Sequence, residues 1–392
     1  MNWERSHRID AIPPYIFSQI NAFKAEALKR GMKLTSLAIG DPDQPTPSIL
    51  VEKMKEAISR PANHMYSSYE GSLEFRTAAA HYMKKRFGVT VSPETEMVSL
   101  IGSKEGIAHF PLSVVNPGDV ALYPSPGYPV FQTALILAGA KPVPISLRAD
   151  RGFLPDVGEL ESQMRQHKPK YCILNFPSNP TSVMCSRELM EKVVQLCKTY
   201  KVVLAYDNAY SEIYLNPAVK PFSVLEIPGA KDVAVEFHSL SKTFNMTGWR
   251  LGFATGNASL LQGLLKAKTH IDSGPLLSVQ EVGAYALAHS DEISEPIRQV
   301  YRARAKVLHQ GLKRIGIETV PSETTFFVWS KIPIKQTSME FTKGLIDQEG
   351  LVVTPGIGFG AEGEGFFRLA MTVPENEIES SLSRLEKYLS RY

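Results

Sequence analysis

Between Ser239 and Gly252 the chain reads Ser-Leu-Ser-Lys-Thr-Phe-Asn-Met-Thr-Gly-Trp-Arg-Leu-Gly, which sets the amine of Lys242 beside two hydroxyls and places Arg250 eight residues on. A lysine that condenses with an aldehyde cofactor needs a depressed pKa, and neighbouring cations help to supply it. Ser239, Ser241 and Arg250 are donors of the kind a cofactor phosphate wants beside it. A serine-rich loop with surface charges would account for a lone Ser-x-Ser-Lys, but the whole run is far more specific than that.

Ligands of an open α/β sheet gather at the carboxyl ends of its strands, so the residues that follow each apolar run are the next to consider. After Tyr171 to Phe176 comes Pro-Ser-Asn179-Pro-Thr, and after Val202 to Tyr206 comes Asp207-Asn-Ala-Tyr210. Asp207 follows an apolar run, where an isolated carboxylate is costly, so it wants a cation such as a pyridinium nitrogen; a helix N-cap is its other reading. Asn179 and Tyr210 could donate to a phenolate oxygen on the same ring, or serve as a turn residue and an ordinary helix residue. Tyr128, in Ser-Pro-Gly-Tyr-Pro, could stack on that ring or close a turn against the core. Gly102-Ser103-Lys104-Glu105-Gly106 precedes a helical stretch, so its amides and the Ser103 hydroxyl could bind a phosphate, or simply begin a helix. Arg368 is a lone cation in the apolar run Phe-Phe-Arg-Leu-Ala; a substrate carboxylate would satisfy it, as would an internal acid.

The elements that must position these residues follow from a recurring theme of short apolar run, turn and helical stretch, which predicts an α/β domain with a mainly parallel sheet. Strands are expected at Val120 to Tyr123, Tyr171 to Phe176, Val202 to Tyr206, Val233 to Phe237 and Leu251 to Thr255. Helices are expected at Ile107 to Val115, Tyr128 to Ala138, Arg187 to Tyr200 and Leu260 to Thr269. A charged arm, an Ile-Pro-Pro turn and an amphipathic helix from Ser18 to Arg30 come first. One long helix beginning near Glu281 and continuing through Tyr301 to Leu312 leads out of the large domain. A small α+β domain with strands at Thr325 to Trp329 and Phe366 to Met371 ends the chain. The domains are expected at 1–35 (arm and helix, part of the small domain), 36–285 (large) and 286–392 (small).

A chain of 392 residues exceeds what one hydrophobic core usually serves, which favours two domains. Its 43 basic and 40 acidic residues form no long block of one sign, so a nucleic-acid partner is not expected. Neither a membrane span nor a signal peptide is legible, and Cys172, Cys185 and Cys197 show no zinc spacing, so reduced thiols and a cytoplasmic location are expected. The histidines make no pair at metal spacing, and His238, the one near the proposed site, is read as a packing residue. Gly356-Ile-Gly-Phe-Gly360 imitates a dinucleotide loop too close to the C-terminus to open a βαβ unit, and is read as a turn.

Taken in order, the lysine loop, Asn-Pro-Thr turn, Asp-x-x-Tyr and late arginine resemble the class I/II pyridoxal-phosphate-dependent aminotransferases of fold type I, over nearly the whole chain. That resemblance implies a large domain with a mainly parallel seven-stranded sheet flanked by helices, plus a small α+β domain. It implies that Lys242 is the Schiff-base lysine, that Asp207 partners the pyridine nitrogen, and that Asn179 and Tyr210 hold the phenolate oxygen. Ser103, Lys104, Ser239, Ser241 and Arg250 match the phosphate cup, Tyr128 the stacking aromatic, and Gly40, Asn179 and Arg368 the residues around the substrate carboxylate. Tyr66 matches a tyrosine that reaches the phosphate of a neighbouring subunit, which implies a homodimer with shared active sites. Ser182 departs from the pattern, since glycine usually follows Asn-Pro-Thr.

Within the family, the stretches Pro13 to Phe17, Ile101 to His109, Ser241 to Arg250 and Val353 to Gly360 resemble LL-diaminopimelate aminotransferases of the shorter bacterial and archaeal type. Tyr15, Tyr69 and Glu70 then become candidates to read the distal end of the substrate. The implied reaction is ping-pong amino transfer between an amino acid and a 2-oxo acid, with 2-oxoglutarate as the partner of LL-diaminopimelate. Aspartate, alanine or aromatic donors remain open, as does a β-elimination. A ligand-sensing domain of a regulator is disfavoured because no basic helix-turn-helix pattern precedes the body.

Overall fold

Strands buried on both faces read as continuous apolar runs, and the centre of this molecule is built from them. The computed structural model describes residues 3–392, apart from the side chain of Phe17. The first two residues of the N-terminal arm and the Phe17 side chain of the Pro13 to Phe17 stretch therefore lie outside the described residues.

In chain order the strands are β1 (Thr35–Ser36), β2 (Met97–Leu100), β3 (Val120–Ser125), β4 (Lys141–Ser146), β5 (Tyr171–Asn175), β6 (Val203–Asp207), β7 (Ala234–Ser239), β8 (Gly252–Gly256), β9 (Phe327–Lys331), β10 (Leu351–Val352), β11 (Thr354–Pro355) and β12 (Phe366–Ala370). The large sheet has seven strands in the order β2-β8-β7-β6-β5-β3-β4. Only β8 runs against its neighbours, while the other pairs are parallel. The α/β architecture with its seven-stranded, mostly parallel sheet is thus as expected. β2 and β4 were not anticipated as strands. β4 reads Lys-Pro-Val-Pro-Ile-Ser, and two prolines are tolerated there because the strand lies at the edge of the sheet.

Helices cover the sheet where their spacing permits. Helix Arg187–Tyr200 buries Met190, Val193, Val194 and Cys197, an i, i+3, i+4, i+7 stripe, and begins where the Ser186 hydroxyl accepts the Leu189 amide at 3.2 Å. The long helix expected from Glu281 to Leu312 is two helices, Leu277–Ala288 and Ser290–Arg314. The break is at His289, whose backbone leaves the helical region (φ −108°, ψ 27°) while its ring stacks on Tyr285 at 4.2 Å. Both segments bury an apolar face, so the periodic pattern runs through the joint and hides it.

A second core gathers Leu308, Phe326, Phe327, Phe341, Phe367 and Tyr388 around the antiparallel sheet β11-β12-β9 and the helices after residue 290. The N-terminal helix Ile16–Lys29 packs Ile20 and Ala27 with Ala38, Ile346 and Val352 on this side of the molecule. Among the described residues no helix is long and apolar enough to cross a membrane.

Candidate active site

The parallel register levels the strand ends: Asn175 of β5 stands opposite Asp207 of β6, and Asp207 opposite Phe237 of β7. Chain turns leaving these ends, together with residues from the second core, enclose a cleft of about 690 Å³. Its lining includes Lys242, Asp207, Asn179, Tyr210, Tyr128 and Arg368, drawn from separate turns of the chain. Ser103, Lys104, Ser239, Ser241, Arg250, Gly40 and Tyr15 line it as well.

Lys242 lies in the single turn Leu240–Thr243 that Ser239 caps by accepting the Ser241 amide at 3.3 Å. Its ammonium donates to the Gly40 carbonyl at 2.9 Å, so the segment that follows β1 forms the opposite wall. Burial lowers the Lys242 pKa to about 8, with Arg250 and Arg368 acting in the same sense and Asp41 against them. A substantial neutral fraction at physiological pH is what a nucleophilic or proton-accepting amine requires.

Asp207 is the last residue of β6, and no helix follows it; its carboxylate accepts the Ala209 amide at 3.2 Å. Burial raises its pKa to about 7, with only that backbone bond opposing. A carboxylate held in this state is a receptor for a cation, and the N-cap reading falls away. Tyr210 packs edge-on against Phe326 and Phe327, and its hydroxyl is within hydrogen-bonding reach of Asn179. Tyr128 stands edge-on to Phe131 at 5.7 Å, and burial raises its pKa to about 12, with Tyr15 and Asp207 acting in the same sense and Arg368 and Arg250 against them.

Arg368 of β12 is 3% exposed. It donates to Asn179 Oδ1 at 2.6 Å and to the Ala38 carbonyl at 2.7 Å, and lies over the rings of Phe327 and Phe359. No carboxylate among the described residues pairs with it, and its Nε has no partner. The internal-acid reading is therefore replaced by an open guanidinium facing the cleft. At the other end, Arg250 donates to Ser241 Oγ and to the Ile101 carbonyl, both at 3.4 Å. Gly102 has φ +75°, and a Cβ there would overlap the Arg250 guanidinium, so this glycine is what lets the arginine approach.

Three expected residues are not brought to this cleft by the chain's own fold. Tyr66 is 88% exposed, Tyr69 is 46% exposed, and Glu70 reaches towards Arg76 at 3.7 Å. One residue that the sequence reading missed is Asn175. Its amide donates to the Asp207 and Pro177 carbonyls at 2.8 and 3.1 Å while its oxygen accepts the Asn179 amide at 2.8 Å, so it joins two site residues. As the final letter of an apolar strand it gave one signal, a polar side chain with no reason to be buried. His238 stacks on Phe253 at 4.6 Å and its Nε2 lies 2.7 Å from the buried Glu236 carboxylate, and Cys172, Cys185 and Cys197 are buried free thiols.

The family described as aminotransferase class I and II matches residues 32–385. The LL-diaminopimelate aminotransferase of Aquifex aeolicus (strain VF5) is 48% identical, covering 98% of this chain and 99% of its own. One from Nostoc sp., LL-diaminopimelate aminotransferase 2, is 42% identical over 98% of both chains. Among solved structures, a probable N-succinyldiaminopimelate aminotransferase from Thermus thermophilus superposes with a TM-score of 0.89 at 32% identity, covering 95% of this chain and all of the other. A single mutant of the aspartate aminotransferase of Thermus thermophilus gives 0.92 at 25% identity, over 99% and 100% of the two chains. The chain that builds this cleft therefore belongs to the class I and II aminotransferases.

Proposed function

We propose that this aminotransferase works with pyridoxal 5'-phosphate and moves an amino group between LL-diaminopimelate and 2-oxoglutarate. The observation that carries the reading is the meeting, in one cleft, of a lysine of depressed pKa with a buried carboxylate and a buried guanidinium that find no ion of opposite charge to pair with among the described residues. These three demands are those of a cationic ring, a carbonyl carbon and a carboxylate, so the residues present fit the cofactor and an α-amino acid. When bound, the cofactor supplies the carbonyl that takes up the amino group and the ring that accepts electrons.

The chain's own groups divide the remaining work. Asp207 would hold the ring nitrogen protonated, Asn179 and Tyr210 would hold the ring oxygen, and Tyr128 would supply the aromatic beside the ring. Ser103, Lys104, Ser239, Ser241 and Arg250 hold the phosphate. Arg368 and Asn179, with the Gly40 backbone, orient the α-carboxylate, which places the α-proton towards the Lys242 amine. Lys242, with its depressed pKa, would take that proton at Nζ as a base and give it back as an acid.

The relatives' names and Tyr15, which lines the cleft, support LL-diaminopimelate as the amino acid. Tyr66, Tyr69 and Glu70 would reach a cleft only in a second copy, so the working unit is taken to be a homodimer with shared sites. Three buried free thiols accord with a reducing cytoplasm.

The test is a donor screen with 2-oxoglutarate, comparing LL-diaminopimelate with aspartate, alanine and phenylalanine, beside the Lys242→Ala variant. LL-diaminopimelate is expected to give the highest kcat/KM, and Lys242→Ala to lose both turnover and the visible cofactor band. A variant that kept both would overturn the assignment of Lys242, and a preference for another donor would overturn the substrate.

A further inference from the structure

Behind the cleft lies an ionic cluster that the reaction as described does not use. Lys268, at the end of helix Ala258–Lys268, is 0% exposed. Its ammonium is 2.9 Å from Glu105 Oε2 and 3.2 and 3.1 Å from the two oxygens of Asp272. His109 Nδ1 is 2.7 Å from the other Glu105 oxygen. Glu105, His109 and Asp272 together resemble a metal-ligand set, but the Lys268 ammonium already supplies a cation among them. A fully buried lysine is retained only where its charge is matched, and here both matching carboxylates lead towards functional segments.

Glu105 leads to the phosphate end of the cleft. The oxygen that receives Lys268 also accepts the Ile101 amide at 3.0 Å, and the Ile101 carbonyl accepts Arg250 at 3.4 Å. By fixing Ile101, two residues before Ser103, Glu105 thus helps to hold the guanidinium beside Ser241. Asp272 leads the other way. Its Oδ1 accepts the Gly274 amide at 2.8 Å, and a Cβ on Gly274 would lie against Ser67 to Tyr69. Gln280 closes that contact by bonding Ser67, Pro275 and the Ser72 amide.

We infer that Lys268 is a positioning residue for phosphate recognition: through Glu105 it sets Ile101, Arg250 and Ser103, and through Asp272 it sets the loop that carries Tyr66. This rests on the pyridoxal-phosphate reading above. Lys268 touches neither cofactor nor substrate; its effect is to fix the donors that do. Losing the ammonium leaves Glu105 and Asp272 facing each other, so Glu105 turns away and Ile101 and Arg250 lose their common anchor.

The experiment uses full-length protein stripped of cofactor, titrated separately with pyridoxal 5'-phosphate and with pyridoxal, which has the same ring and aldehyde but no phosphate. Binding is followed by visible absorbance. For Lys268→Met, affinity for the phosphate ester is expected to fall by about tenfold or more while affinity for pyridoxal stays within about twofold. Equal losses for both compounds would mark a general structural defect and overturn the inference, as would no loss for either. If Lys268→Met does not fold, Asp272→Ala decides, because it keeps the Lys268 to Glu105 pair and removes the acceptor of the Gly274 amide; a loss of about threefold confined to the phosphate ester is expected, and no selective loss overturns the inference. Wild-type protein that failed to bind pyridoxal 5'-phosphate would instead sink the cofactor assignment itself.

Discussion

Asp207 and Lys242 carry opposite burdens from the same cause, since burial disfavours the charged form of each. For Asp207 the folded pKa of about 7 exceeds the ordinary carboxylate value, so the folded protein without cofactor holds a proton that the unfolded chain has lost. Stability therefore falls as pH rises from about 4 to about 7 and then levels, a loss on the order of 4 kcal/mol in all. Asp207→Asn should remove this cost. In urea unfolding of cofactor-free protein, its advantage over wild type should grow by about 2 kcal/mol between pH 5.5 and pH 7.5. An advantage that shrank with pH would show that Asp207 is already satisfied within the chain. At Arg368 the prediction concerns substrate: Arg368→Lys keeps the charge but loses the fork that reaches Asn179 and Ala38 together. KM for both amino acid and oxo acid should rise by about 10- to 100-fold, with cofactor affinity unchanged. Steady-state kinetics beside a cofactor titration separate the two.

The turn after β5 is the element where sequence and structure inform each other most. Ser182, which stands where glycine is usual, has φ +62°, a region a non-glycine residue enters at a cost. Its hydroxyl meets the Thr325 hydroxyl at 2.6 Å and donates to the Phe327 carbonyl at 2.8 Å, while Thr324 bonds the Ser182 carbonyl. The serine thus offsets its strain by tying the turn that bears Asn179 to the approach of β9. Glycine there would lose two bonds worth about 1 kcal/mol each and recover about 1 kcal/mol of strain; alanine would lose the bonds and keep the strain. Ser182→Gly should therefore be more stable than Ser182→Ala by about 1 kcal/mol, read from denaturation midpoints at unchanged slope. Ser182 shows how far the sequence was legible. Local spacing carried the lysine loop, the Asp207 strand end and the alternation of strand and helix, because those depend on residues a few positions apart. Bonds joining residues far apart in the chain, such as Ser182 and Thr325, left no local trace, and neither did the His289 break, since burial on both sides preserved the apolar period. β4 was hidden by its prolines, which only an edge position explains.

At the scale of the molecule, the cleft is closed by groups from both cores. Glu362 bonds Ser125 and Ser146 at the ends of β3 and β4, the Phe359 carbonyl accepts the Gly127 amide at 2.8 Å, and Arg304 grips Asp43 at 2.6 and 2.8 Å. One face is left open. Met65, Tyr66, Tyr69 and Leu73, with Ile271 and Leu276 on the neighbouring loop, expose large apolar side chains beside the segment that Asp272 and Gln280 brace. Such a surface is costly in water unless it is covered. If a second copy covers it and each cleft takes its tyrosine from the other chain, two defective variants can repair one another. Lys242→Ala lacks the amine, and Tyr66→Ala lacks the exchanged side chain, so a mixed dimer holds one cleft with both groups intact and one with neither. Random mixing makes half of the dimers mixed, so about a quarter of wild-type activity should return at limiting cofactor when the variants are unfolded together and refolded. Each variant treated alone stays at its own low level. If Tyr66 served its own chain, every cleft would still lack one group and mixing would restore nothing.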